Sequence, residues 1–521
     1  MKRGLLQQCY FQRYTYLFSL IFFIPIFKVN AQQNVVFDKV INENNIQQKP
    51  RTIVTTDGEI DDIDSFIRFL LYANEFKIEG LVYSSSQWHY SGDGKGTLFT
   101  SEMPETATRY GEKTNLRWVG TTWIQELIDK YAIVYPNLIK HADGYPSPEY
   151  LHSLIRIGNI SFEGEMEKIT EGSDLIKNVL LDADSNPVFL QVWGGNNTIA
   201  RALKSIEEEY QNTPSWQKVY KAVSQKAIIY NILDQDATYK KYIGKNWPEI
   251  RVYNNLAQFW SFAYSWPSDV PDIYKPYLGG NWFAKNILFN HGPLLAEYYT
   301  WGDGRQLVED NEHTHGNPEN QEKEGRKKYD FISEGDSPSY LYLINVGLRS
   351  IENPSYGGWG GRMVPSSDNP YRWTDTNVAD YNPYTNKLDR TYPQTRWIDV
   401  IQNDFAARAD WCVLSYEEAN HPPVVTLAHE ADLIVKPETQ VTLKGKAIDP
   451  DGDTLIYKWW QYVEAGTSPH QLEIEDSNSP QATVTIPSMS LPKETYHLIF
   501  EVKDSGKPQL TRYQRVILTV N

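Results

Sequence analysis

The chain has 521 residues, 66 acidic against 50 basic, and a formal charge of −16. That balance argues against a nucleic-acid polymer as partner, which is bound through basic patches, and reads instead as a solubilising surface. Two cysteines exclude a disulfide-built scaffold, and the length calls for more than one domain. Sixteen Trp and 35 Tyr supply rings that stack on sugar faces or fill cores.

Residues 1–31 read as an export signal. Lys2, Arg3 and Arg13 give a basic start, Leu17 to Phe27 an apolar core, and Val29-Asn30-Ala31 a cleavage site, with an uncleaved anchor as the alternative. The expected location is periplasmic or extracellular, without a stable membrane span after cleavage. Removal takes four of the 50 basic residues and none of the 66 acidic ones, so the remainder carries about −20. It keeps one cysteine, Cys412, in an apolar run that predicts a buried thiol.

Arg51 to Thr56 is a predicted strand, and it ends in a turn carrying Asp57, Glu59, Asp61, Asp62 and Asp64. Ile63, Phe66, Ile67, Leu70 and Leu71 then recur at helical spacing, and Ile78 to Ser84 predicts a second strand. The acids therefore sit at the carboxyl end of a strand, where open α/β sheets bind ligands. Helix capping accounts for one or two of them. Five held close repel one another, and a hard divalent cation such as calcium, which takes six to eight oxygens, neutralises that crowding. Trp88-His89-Tyr90 follows the second strand directly and falls near the turn. Ser91 to Arg109 reads as a loop, and Trp118 to Tyr135 has helical spacing.

The run TTDGEIDD resembles the nucleoside hydrolase fingerprint, an Asp, a three-residue turn and two adjacent Asp. The closer likeness is to a secreted nucleoside-hydrolase-like family, some of whose members are described as cellulose-binding. The resemblance implies Asp57 and Asp62 as calcium ligands and Asp61 as a ligand of sugar hydroxyls. Gly58 and Glu59 stand where that family usually has Pro and Gly. Gln87 stands where it often has an Asn touching the sugar and the attacking water.

Further along, Asp174 to Leu181 predicts a helix and Pro187 to Trp193 a buried strand. The turn Gly194-Gly195-Asn196-Asn197 leads into a helix from Thr198. By itself that is a turn and helix cap; the resemblance implies the Asn197 carbonyl as a calcium ligand. Ala227 to Leu233 predicts another strand, in which the resemblance implies Asn231 as a sugar contact, with Ile229 in place of a family Glu. Trp260 to Gly304 is aromatic and irregular. His291 within it is either structural or, with His89, a candidate proton donor. Residues 305–328 read as a surface loop.

Glu334 and Asp336 precede a Ser-Pro-Ser turn and an apolar run. Asp336 is a helix N-cap or, by the resemblance, a calcium ligand that also touches the sugar. Gly335 falls where several family members have a His near the leaving group. The turn Gly357 to Arg362 sets Trp359 over a sugar ring or simply reverses the chain. Ile398 to Tyr416 predicts a helix.

Composition shifts at His421-Pro422-Pro423. Short alternating runs follow to residue 521 and predict an antiparallel Ig-like or cadherin-like β-sandwich. Its Asp449-Pro450-Asp451-Gly452-Asp453 loop is a calcium site or a turn. Trp459 and Trp460 face opposite ways on a strand, one into the core and one toward the first domain or a glycan. The resulting expectation is a doubly wound, nucleoside-hydrolase-like α/β domain over 50–415 and an Ig-like module over 422–521. The implied activity is calcium-dependent hydrolysis of a glycosidic bond, nucleoside-like and N-glycosidic, in a sugar-containing small molecule or glycan, with Asp57 as general base. The alternatives are a cellulose-binding protein with a degenerate site and an O-glycoside hydrolase. Nothing in the sequence fixes the oligomeric state.

Overall fold

The β-branched and aliphatic runs become parallel strands in the computed structural model, which describes residues 49–307 and 313–521; the export signal expected over 1–31 lies outside them. Among the described residues, eight strands form the main sheet. They are β1 (Arg51–Thr56), β2 (Lys77–Tyr83), β3 (Ile155–Ile157), β4 (Val188–Val192), β5 (Ala227–Ile232), β6 (Arg251–Asn255), β7 (Val364–Pro365) and β8 (Arg372–Thr374). Their order is β3-β2-β1-β4-β5-β6-β8-β7, and only β7 runs antiparallel to its neighbour. The order reverses at β1, so a crevice opens between the carboxyl ends of β1 and β4.

Both faces of the sheet are covered, which is why β1 and β4 are buried along their whole length rather than at alternate residues. Neighbouring residues in β1 show the division. Val54 packs with α1 (Ile60–Leu71) and α2 (Trp123–His141), whereas Ile53 packs with α3 (Glu171–Leu181) and α4 (Asn197–Tyr210). The start of α2 is fixed by Tyr83 at the end of β2: its hydroxyl accepts from the Ile124 amide at 3.0 Å and donates to Gln125 Oε1 at 2.6 Å.

Two predicted loops are partly ordered structure. Within Ser91 to Arg109, Phe99–Thr100 pairs with Glu112–Lys113, and a helix runs Pro104–Tyr110. Pro104 at its start costs no helical hydrogen bond. Within 305–328 a helix spans Pro318–Lys323, and the segment before it turns inward, burying His313.

Residues 424–520 form two four-stranded sheets, as the alternation predicts. Leu443, Trp459 and Phe500 fill the space between them. Trp460 faces the other way: it packs against Trp397 of the α/β region, with ring centres 6.2 Å apart, and Arg396 lies over it. The α/β core continues into Tyr462, Ile499 and Tyr513 of this module. Asp404 of α5 (Ile398–Trp411) binds Arg512 at 2.8 Å, Asp380 accepts from the Tyr462 hydroxyl at 2.5 Å, and Arg515 donates to the Leu348 carbonyl at 2.7 Å. Cys412 is buried. No helix of the described residues is long and apolar enough to cross a membrane.

Candidate active site

The turn after β1 is shaped by Gly58. Its φ is +83°, and a Cβ there would stand 2.7 Å from Val119 Cγ2 and 2.9 Å from Trp123 Nε1. No proline fits that conformation. The turn leaves Asp57 at the strand end and sets Asp61 and Asp62 in the first turn of α1. A short helix, Ser337–Leu341, begins opposite and brings in Asp336.

Asp61, Asp62 and Asp336 each offer an oxygen within 4.8 Å of the others. This group includes Asp61, which the resemblance assigned to the sugar, and omits Asp57. Thr56 donates its hydroxyl to Asp62, and Ser333 donates to Asp61 at 3.3 Å. All three acids are buried. Burial, then the charges of Glu59 and Asp57, push Asp61 up to about 7. Burial and neighbouring carboxylates hold Asp62 and Asp336 well above the usual carboxylate range. Asp57 is 2 % exposed, and neither of its carboxylate oxygens has a hydrogen-bond partner among the described residues. Orphaned buried oxygens and an all-carboxylate donor set fit a hard cation, which would reverse the upward pressure on these acids.

A second group borders the first. His89 is fully buried, with Nδ1 3.6 Å from Asp57 Oδ2 and 3.8 Å from Glu59 Oε2. His313 Nε2 lies 3.0 Å from Glu59 Oε1, Tyr264 donates to the same oxygen at 3.3 Å, and Arg117 stands 3.8 Å away. Burial alone would raise Glu59, but the hydrogen bond and charge of His313, with His89 and Arg117, outweigh it and hold the carboxyl below its ordinary range.

The other residues implied by the sequence fall around this centre. Asn197 opens α4; it is held by Ser84, Ser85 and the Asn159 carbonyl, and its amide donates to Asp236 at 2.9 Å. Gln87 accepts from Thr106 at 2.6 Å. Asn231 donates to Asn254 at 3.0 Å, and its buried Oδ1 has no partner among the described residues. His291 bonds Asp410 at 3.1 Å. The glycine after it meets Val134, eleven residues beyond Trp123 on α2, which is about 16 Å along the helix from the acidic turn. Trp359 is 1 % exposed and cannot lie over a ligand.

A family model described as "Cellulose-binding Sde182, nucleoside hydrolase-like domain" matches residues 51–363, more than half of the chain. The chain belongs to this family. A second model, "Cellulose-binding protein Sde0182, C-terminal domain", matches residues 440–520. A solved nucleoside hydrolase-related protein from Saccharophagus degradans, described as associated with carbohydrate metabolism, is 28% identical, with a TM-score of 0.66 over 91% of this chain and 100% of that one. A plant nucleoside hydrolase is 9% identical with a TM-score of 0.27, covering 70% of this chain and 99% of that one. A PKD domain is 25% identical with a TM-score of 0.15, covering 19% and 86%. The last two likenesses are too slight to bear on function. No curated protein matches the chain.

In this Sde182-family chain, Glu59 occupies the place of a small turn residue and gathers His89, His313, Arg117 and Tyr264 around it. Its position in the acidic turn was visible in the sequence; its partners were not, because His313, Arg117 and Tyr264 come from segments without periodicity. Gly335 is fixed by contact. A Cβ there would stand 2.8 Å from Asp61 Oδ2 and 3.4 Å from both Phe259 and Ala263, so any side chain at this place displaces Asp61.

Proposed function

We propose that the protein is an exported hydrolase of a glycosidic bond, with Asp57 as general base and calcium held by Asp61, Asp62 and Asp336. The observation that carries this reading is the pair of unpartnered, buried Asp57 oxygens beside three converging carboxylates. Calcium, when bound, supplies positive charge and oxygen coordination for hydroxyl groups of a sugar. Asp57, whose oxygens accept no hydrogen bond among the described residues, takes a proton from water. The buried carboxylates favour positive charge developing at the sugar C1. His89, 3.6 Å from Asp57, is better located than His291 to move a proton. The family description, cellulose-binding, supports a carbohydrate as ligand and also supports a second reading, binding without turnover.

The test is a product screen with nucleosides and oligosaccharides, with and without calcium, alongside calorimetry for calcium. Calcium-dependent release of a free sugar is expected. Calcium binding without any product from either class would leave the binding reading, and no calcium binding would remove the metal from both.

A further inference from the structure

On the far side of Tyr264, whose hydroxyl reaches Glu59, lies a cavity of about 380 Å³ that the proposed chemistry does not use. Aromatic rings form one part of its wall, and Thr314, Asn320, Lys323, Glu324 and Arg326 form a polar remainder. Trp301 stands edge-on to His315 with ring centres 4.6 Å apart, Tyr264 stacks on His315 at 5.8 Å, and Trp266 completes the wall. Arg326 holds its guanidinium 5.7 Å and 5.9 Å from the centres of the Trp266 and Trp301 rings, and its buried Nε has no hydrogen-bond partner among the described residues. Asn320 adds an amide. Tyr264 is shared with the acidic site, since its hydroxyl reaches Glu59 at 3.3 Å and His313 at 3.2 Å.

Ring faces set against hydroxyl, amide and charged side chains suit a ligand with apolar faces and a polar edge. A pyranose has that character: C–H groups on its faces, hydroxyls around its rim. We propose that this cavity is a sugar subsite, holding the glycosyl unit next to the bond at Asp57 in a soluble β-linked gluco-oligosaccharide. This rests on the carbohydrate reading above and deepens it. A concavity at the small end of the range for ligand pockets, about 300–1,000 Å³, takes the end of one chain rather than the flat face of a fibre.

The test uses the full chain and equilibrium binding. Cellotetraose is titrated by calorimetry and tryptophan fluorescence, inosine is titrated in parallel, and microcrystalline cellulose is tried by co-sedimentation. Trp301→Ala and the milder Arg326→Gln should each weaken cellotetraose about tenfold while melting and binding calcium like the parent, as the loss of one ring or charge contact allows. Unchanged cellotetraose affinity in either variant that melts like the parent would overturn the subsite. So would a parent chain that binds inosine or the crystalline polymer but no cellotetraose. Because no turnover is read, a chain that hydrolyses nothing yet binds cellotetraose through Trp301 keeps the subsite while the hydrolase reading fails.

Discussion

Asp57 and Asp62 are both buried acids in one turn, yet their surroundings differ. Asp62 has a hydroxyl donor in Thr56 and two carboxylate neighbours, whereas Asp57 has unpartnered oxygens and His89 3.6 Å away. Asp57→Asn should therefore cost about 10²–10⁴-fold in turnover, as loss of a general base does, while calorimetry shows calcium still bound. Asp62→Ala should lower calcium affinity, with turnover partly restored by excess calcium. Equal effects of the two changes on both readouts would mean that the acids are not divided in this way. The acids were legible because they are crowded into eight residues, and crowding of like charge needs a local cause. His313 was not. It belongs to a polar segment with no period, and it matters only because the chain folds back to set it 3.0 Å from Glu59.

Among elements, the strands and helices that frame the crevice were readable from their patterns. β1 is a short β-branched run and β4 and β5 are short, largely apolar ones, each closed by a turn, and α1 and α4 have apolar stripes. The aromatic stretch from Trp260 to Gly304 was not readable. Short 3₁₀ and π turns such as Gln258–Phe262 and Ala284–Leu288 carry no sustained period, and packing of large rings fixes them instead. The turn before Ser337–Leu341 offers a test at this scale. Gly335→Ala puts a methyl 2.8 Å from Asp61 Oδ2, so Asp61 must shift. Calcium affinity should fall about tenfold or more, while thermal stability without calcium changes little. An affinity equal to the parent's would show that Asp61 is not a ligand. A second test concerns α3, capped by Thr170, whose hydroxyl accepts from the Ser173 amide and whose own amide donates to Ser173 Oγ. Thr170→Ala should cost about 1 kcal/mol in denaturant unfolding, and a smaller loss would mean that Asn159, which donates to the Lys168 carbonyl at 2.8 Å, carries the turn without it.

For the whole molecule, the shift at Pro422-Pro423 marks where the fold type changes but not where contact ends. Trp397 packs against Trp460, Tyr462 and Tyr513, and Asp380 and Asp404 find partners across the junction. A chain cut after residue 420 leaves Asp404 without Arg512 and the α/β core open at Trp397. It should be insoluble or melt well below the full chain, and a stable soluble fragment would show the sandwich to be a mere appendage. The junction also titrates. Burial, then the charges of Arg515 and Arg349, lower His497 from 6.5 to about 3, and the neutral ring accepts from Arg515 at 3.0 Å. The unfolded chain binds that proton first, so stability present above about pH 6.5 is lost as pH falls toward 3. His497→Gln, which keeps an acceptor, should flatten the fall of melting temperature over that window; a parallel decline would place acid sensitivity elsewhere.

The cross-junction pairs also impose an order in time. Arg512 lies 108 residues after Asp404, and Arg515 lies 167 after Leu348. A chain emerging from the ribosome carries an α/β region in which Asp404 and the Leu348 carbonyl still wait for their arginine partners. The strand Thr511–Val520 supplies them. A premature stop anywhere in the sandwich would therefore yield not a shorter protein but an unfinished one, marked for proteolysis by the surface it fails to close.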